Sequence, residues 1–109
     1  MALTWRLAGT SDPGLKRSRN EHSLLLDETY GIVIVADGIG GRPAGELASA
    51  EAARTVQQGL TTEESNSGWG EKMAEAVHQL NRNIWEAALA EPEHAGMGTT
   101  VTALAMQGD

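Results

Sequence analysis

The sequence predicts an α+β fold, and three observations carry the prediction. A β-branched run from Ile32 to Val35, followed by Ala36, reads as a buried strand. Alternating stretches near the start and the end of the chain read as strands with one face on a core. Between residue 44 and residue 89 lie two proline-free segments with apolar residues at helical spacing.

Taken in order, Leu3, Trp5 and Leu7 alternate with Thr4, Arg6 and Ala8, the period of two that defines a first strand. Residues 9–14 are a turn and residues 22–27 a second short strand. Residues 28–31 turn the chain back into the strand 32–36, expected to be buried on both faces, with Asp37 where it emerges. Pro43 suits the first turn of a helix, where its missing N–H is not needed, and residues 44–58 contain no breaker except Gly45. Ala44, Ala48, Ala52 and Val56 are small enough for that helix to approach a sheet closely. Residues 61–68 are polar and aperiodic, the expected loop. Trp69, Met73, Val77, Leu80, Ile84 and Ala88 then mark the inward stripe of an amphipathic helix over 70–89. Residues 91–97 read as a loop, 99–106 as an alternating strand and 107–109 as a turn.

A chain of 109 residues has room for one core. Its net charge is -7, and because residues 1–42 hold five basic and five acidic groups, the whole excess follows Arg42. That half is a poor nucleic-acid binder. Cysteine is absent, which excludes disulfides and thiolate metal sites and leaves carboxylate, carbonyl, imidazole and water for a hard cation. The start, MALTWRLAGTSD, has no apolar core of signal-peptide length, and no aliphatic run is long enough to cross a bilayer. The expectation is a cytoplasmic chain without membrane or nucleic-acid partners.

The stretch with the chemistry of a site is residues 32–49, IVIVADGIGGRPAGELAS, in which a buried strand ends in an acid and three glycines. Gly38, Gly40 and Gly41 leave the backbone bare enough for a small ligand to touch carbonyls or amides. A dinucleotide fingerprint fails, because Pro43 holds its third glycine position and an acid intrudes first. A Walker loop fails for want of Gly-Lys-Ser/Thr. A strand-to-helix turn whose glycines serve geometry alone stays open from this stretch. Glu21 is a second acid at an element end. Oxygen ligands of this kind suit magnesium or manganese, and Arg17, four residues before Glu21, suits a phosphate held by forked hydrogen bonds. Together they would mean metal-assisted phosphoryl chemistry. The alternative for Arg17 and Glu21 is a surface pair one helical turn apart, worth about 0.3–0.5 kcal/mol. Thr99 and Thr100 read as strand residues near the site and not as ligands, and His78 and His94 are assigned no role.

Three ordered segments, SDPGLKRSRNEHS (11–23), VADGIGGRPAGELAS (35–49) and GMGTTVTAL (96–104), resemble the PPM-type (type 2C) metal-dependent protein serine/threonine phosphatases in their bacterial form. The resemblance spans nearly the whole chain and is weakest over 57–93. It implies two antiparallel sheets packed face to face with helices outside, of which this chain forms the N-terminal part with four or five strands and two long helices. It also implies that Arg17 contacts phosphate, Glu21 is a metal-site acid acting largely through water, Asp37 bridges two metals and the Gly38 carbonyl is a metal ligand. The cofactor would be Mn2+ or Mg2+, two ions in the complete domain and weakly bound or absent in this fragment, and the reaction hydrolysis of phosphoserine or phosphothreonine in proteins by a metal-activated water.

Two features depart from the family. His22 stands where bacterial members carry an aspartate near the metals, and Ile39 is apolar where many eukaryotic-type relatives have a histidine, so a proton for the leaving group must come from elsewhere. The family's remaining metal-binding aspartates belong to segments beyond the strand that begins at Thr99. Residues 1–109 are therefore expected to be an incomplete, N-terminal portion of a phosphatase domain, inactive alone, with a phosphoprotein substrate for the whole and self-association for the fragment. The alternative is a truncated, inactive phosphatase-like chain acting only by binding or self-assembly.

Overall fold

A computed structural model of the chain describes residues 6–10, 22–40, 43–62 and 68–106. Its order is β1 (His22–Asp27), β2 (Ile32–Ile39), α1 (Ala44–Thr61), α2 (Trp69–Ala90), one 3-10 turn (Pro92–His94), β3 (Gly98–Thr99) and β4 (Thr102–Ala105). The α+β class holds, with four strands and two long helices. The first predicted strand does not form over residues 6–8, which are irregular, and its residues 3–5 lie outside the described residues, as do most of the 11–23 segment, residues 63–67 of the loop and the turn 107–109.

The sheet is antiparallel and β2 is its centre. β1 pairs along one side, with His22 opposite Asp37 and Asp27 opposite Ile32. The connecting turn is built by Asp27, whose Oδ1 accepts the Tyr30 N–H at 3.0 Å, and by Gly31 at φ 68, where a side chain would be strained. β3 and β4 share the other side in one unbroken register, Gly38 opposite Thr99 and Val35 opposite Thr102. The predicted strand 99–106 is thus interrupted at Thr100 and Val101 without any inserted residue.

β2 is longer than the sequence predicts, running through Asp37 to Ile39 because β3 pairs with its last two residues. The expectation of burial on both faces is overturned. Ile32, Ile34 and Ala36 are wholly buried, whereas Val35 is 44% exposed, because α1 covers one face and no described element covers the other. Strand alternation then places Val33, Val35, Asp37 and Ile39 on the open face.

α1 lies on the sheet through Ala44, Ala48, Ala52 and Val56, each fully buried, and Val56 and Leu60 contribute about 1.5–3 kcal/mol each by burial. Side chains fix its position too. Ser23 and Ser49 hydroxyls meet at 2.9 Å, and Gln57 donates from Nε2 to Asp27 Oδ2 at 3.0 Å. α2 packs against α1, closely enough that a Cβ on Gly59 would lie 2.7 Å from the Ala76 Cβ. The inward stripe of α2 is shifted from the predicted one. Ala76 and Leu80 are buried, with Trp69, Met73 and Ile84 packed beside them, while Val77 is 40% exposed. Ala76 and not Val77 faces α1 because the close approach at Gly59 admits only a methyl group.

Glu51 is the polar tie between the helices. It accepts from Arg54 and Thr55 on its own helix and from Asn83 Nδ2 on α2 at 2.9 Å. Burial raises its carboxyl pKa, but the hydrogen bonds from Arg54, Asn83 and Thr55 outweigh it and hold the pKa below the usual 4.5. A depressed folded-state pKa gives stability that is full above the unfolded value and is lost as pH falls through the folded value. Glu51→Gln is therefore expected to flatten the fall in melting temperature between about pH 6 and about pH 3 relative to the unchanged chain. Parallel falls in both proteins would contradict this assignment.

Candidate functional site

Asp37 is held by two strands at once. On the β1 side it faces His22, whose Nε2 lies 3.1 Å from Asp37 Oδ1, with side chains 34% and 46% exposed respectively. The two form an ion pair when the imidazole is protonated, and Oδ1 is a buried atom that accepts no hydrogen bond among the described residues. On the other side the backbone of Asp37 is tied to Thr100, whose N–H donates to the Asp37 carbonyl at 3.0 Å and whose Oγ1 accepts the Asp37 N–H at 3.1 Å.

Gly38 turns its α-carbon into the start of α1. A Cβ there would sit 1.8 Å from the Gly45 carbonyl oxygen, so no side chain fits and strand and helix meet backbone to backbone. That contact explains Gly45, the glycine in the first turn of α1, which is buried. Because Asp37 and Thr100 face each other with hydrogen bonds, the next residue directs its N–H and C=O away from β3, toward the β1 side. The Gly38 carbonyl is thus turned to the side on which His22 lies. Gly40, at φ 120, closes the turn under Met97, whose Cα would lie 3.0 Å from a Cβ at that position.

Asp37 Oδ1, itself buried though the side chain is 46% exposed, accepts no hydrogen bond among the described residues and has the His22 imidazole beside it, so its lone pairs are available to a cation. The donor set, carboxylate with carbonyl and imidazole nearby, suits Mn2+ or Mg2+ with water completing the shell. Among the described residues no three His, Cys, Asp or Glu side chains cluster for a metal. Arg17 and Glu21 lie outside the described residues, so of the sequence-predicted site the structure brings together His22, Asp37 and Gly38. Thr100 was read as a bystander. The signal for it was the doublet Thr99-Thr100 opposite the acid, two hydroxyls where a strand needs none. His78 is exposed on α2, and His94 sits in the 3-10 turn with a buried, unpartnered Nδ1. A groove of about 600 Å³ between α1 and α2, lined by Arg54, Gln58, Lys72, His78, Arg82 and Asn83 among others, contains no strand residue and is separate from Asp37.

Sequence and fold both place the chain with the PPM-type metal-dependent protein serine/threonine phosphatases, and its sheet and two helices match the N-terminal part of that fold. Over all 109 residues it is 35% identical to the serine/threonine protein phosphatase PstP of Mycobacterium tuberculosis, covering 100% of this chain and 21% of that one. It superposes on the crystal structure of M. tuberculosis PstP/Ppp with a TM-score of 0.83 and 36% identity, over 95% of this chain and 43% of that one. It is similar also to the PstP catalytic domain in complex with two manganese ions, with a TM-score of 0.75 and 32% identity, over 99% and 43%. No family model matches the chain. The chain spans about a fifth of the length of the full PstP relative and under half of the solved chains. No helix among its described residues is long and apolar enough to cross a membrane.

Proposed function

We propose that residues 1–109 supply the N-terminal half-site of a protein phosphatase that hydrolyses phosphoserine and phosphothreonine in protein substrates. The observation that supports it best is the Asp37 carboxylate, fixed on both flanks of the central strand, with the His22 imidazole 3.1 Å from its Oδ1 and the bare backbone of Gly38 after it. The relative solved with two manganese ions supports the same reading. Asp37 and the Gly38 carbonyl would hold the metal, with Glu21 acting largely through water, and Arg17 would hold the phosphate in its forked guanidinium. Two bound ions of the Mn2+ or Mg2+ type supply Lewis acidity and an acidified water. Ile39, 60% exposed beside Asp37, offers no proton, so protonation of the leaving oxygen falls to solvent or to residues outside this segment. The further carboxylates that complete the site come from beyond these residues, and the 109-residue chain alone is inactive.

A chimera tests this reading. Residues 1–109 replacing the matching segment of the M. tuberculosis PstP catalytic domain are expected to give manganese-dependent hydrolysis of a phosphothreonine peptide. Asp37→Asn in that chimera is expected to lower kcat/KM by more than about 100-fold with an unchanged melting temperature. Retained activity in the folded Asp37→Asn chimera, or turnover by the isolated chain, would sink the half-site assignment.

One observation favours a second reading, a phosphatase-like chain that acts by assembly. Val35, Ile39 and Leu104 are 44%, 60% and 57% exposed on the open face of the sheet. An apolar sheet face of that kind favours a covering layer, and a second copy is one source of it.

A further inference from the structure

We propose that Thr100 is a positioning residue for Asp37, its hydroxyl replacing a backbone carbonyl in the sheet and so setting where the Asp37 carboxylate stands. Asp37 and Thr100 are opposed in the register that runs unbroken through Gly38 with Thr99 and Val35 with Thr102. In a regular antiparallel ladder such a pair exchanges two N–H to carbonyl bonds. Here only one is made, from the Thr100 N–H to the Asp37 carbonyl at 3.0 Å. The reciprocal donor, the Asp37 N–H, turns instead to Thr100 Oγ1 at 3.1 Å. The Thr100 carbonyl that would have received it accepts from the Thr99 hydroxyl at 2.7 Å.

The two threonines therefore act in sequence. Thr99 Oγ1–H gives the Thr100 carbonyl a donor in place of the Asp37 N–H, and Thr100 Oγ1 accepts that N–H instead. The ladder loses its strand geometry at Thr100 and Val101 and at no other point between Gly98 and Ala105. That single break lies directly opposite the acid. A side-chain acceptor reaches the Asp37 amide from the open face, where the Asp37 carboxylate also lies, so amide and carboxylate orientation are coupled through one residue. Removing the hydroxyl leaves two outcomes, both of which move Asp37. Its N–H returns to the Thr100 carbonyl and the strand regularises, or the N–H loses its partner.

The proposal rests on the metal reading of Asp37, and the test separates the two. The isotope-labelled 109-residue chain is titrated with Mn2+, and paramagnetic broadening of the Asp37 and Gly38 amide signals is followed by NMR. Amide hydrogen exchange at Asp37 is measured without metal. Thr100→Val, which keeps shape and strand propensity but not the hydroxyl, is expected to need about tenfold more Mn2+ for equal broadening and to change Asp37 exchange. Thr100→Ser is expected to stay within about twofold of the unchanged chain on both readouts. Asp37→Asn should abolish the local broadening. If Thr100→Val broadens and exchanges like the unchanged chain while Asp37→Asn does not bind, the positioning role is overturned and the metal reading stands. If Asp37→Asn broadens as before, the metal reading is overturned, and the positioning role with it unless Asp37 exchange still depends on the hydroxyl. A serine variant that behaves like valine overturns the hydroxyl as the cause.

Discussion

Gly38→Ala is expected to destabilise the chain by about 3 kcal/mol, the upper part of the range for overpacking a tight contact. The added methyl would meet the Gly45 carbonyl oxygen at 1.8 Å, with the Gly45 carbonyl carbon and α-carbon at 2.5 and 2.9 Å. All three are backbone atoms in the first turn of α1, so relief requires moving the helix away from β2 and not merely rotating a side chain. Ala44 and Ala48, fully buried in the same part of that interface, would lose contact together. Gly70→Ala is the control. It lies in the first turn of α2 with nothing within 4 Å of the new Cβ, and helix propensity alone predicts a gain of up to about 1 kcal/mol. Urea unfolding of the two variants measures both. A loss under about 1 kcal/mol for Gly38→Ala would show that α1 yields freely, and the close strand-to-helix contact would then not be what holds Asp37 in place.

The second large effect is association. The isolated chain is expected to dimerise reversibly, because the sheet face opposite α1 carries Val35, Ile39 and Leu104 in the open. Soluble monomers rarely expose an apolar patch beyond about 600 Å², and among the described residues β1 and β4 are the outer strands on either side of β2, with edges no described strand pairs. A symmetric pairing of two open faces covers both with a single contact. Sedimentation velocity over a dilution series should show the sedimentation coefficient rising with concentration. Leu104→Glu, a charge on the β4 side of that face, should weaken the association by at least about tenfold, since an unpaired buried charge opposes assembly far more than a lost leucine does. A compact monomer throughout, at high micromolar concentration, would remove the assembly reading. It would mean that segments outside the described residues fold back over the sheet.

Local patterns were legible wherever one residue's neighbours in sequence are also its neighbours in space. The β-branched run of β2, the small-residue face of α1, the turn before Gly31 and the helical period of α2 all have that character, and each forms close to where the sequence predicts it. The helix stripe failed at one position, Val77, because a period of 3.6 defines a face only to within a residue and the approach of Gly59 to Ala76 selects among the candidates. β1 and the strand after residue 97 were found, but not the break between Gly98–Thr99 and Thr102–Ala105. A hydroxyl that outcompetes a carbonyl for an amide 63 residues away leaves no periodic trace.

The candidate site divides in the same way. The sequence by itself determined that an acid follows a β-branched strand with a bare glycine after it, and the resemblance it carries to the phosphatases named the chemistry. Tertiary structure alone decided that His22 reaches within 3.1 Å of Asp37, that Gly38 excludes any side chain because Gly45 is pressed against it, and that Thr100 holds the Asp37 amide. It also decided that one face of β2 is open. The physical reason is common to all four. Strand register, helix approach and layer coverage depend on residues far apart in the chain, and the periodicity that marks an element carries no information about which partner it meets.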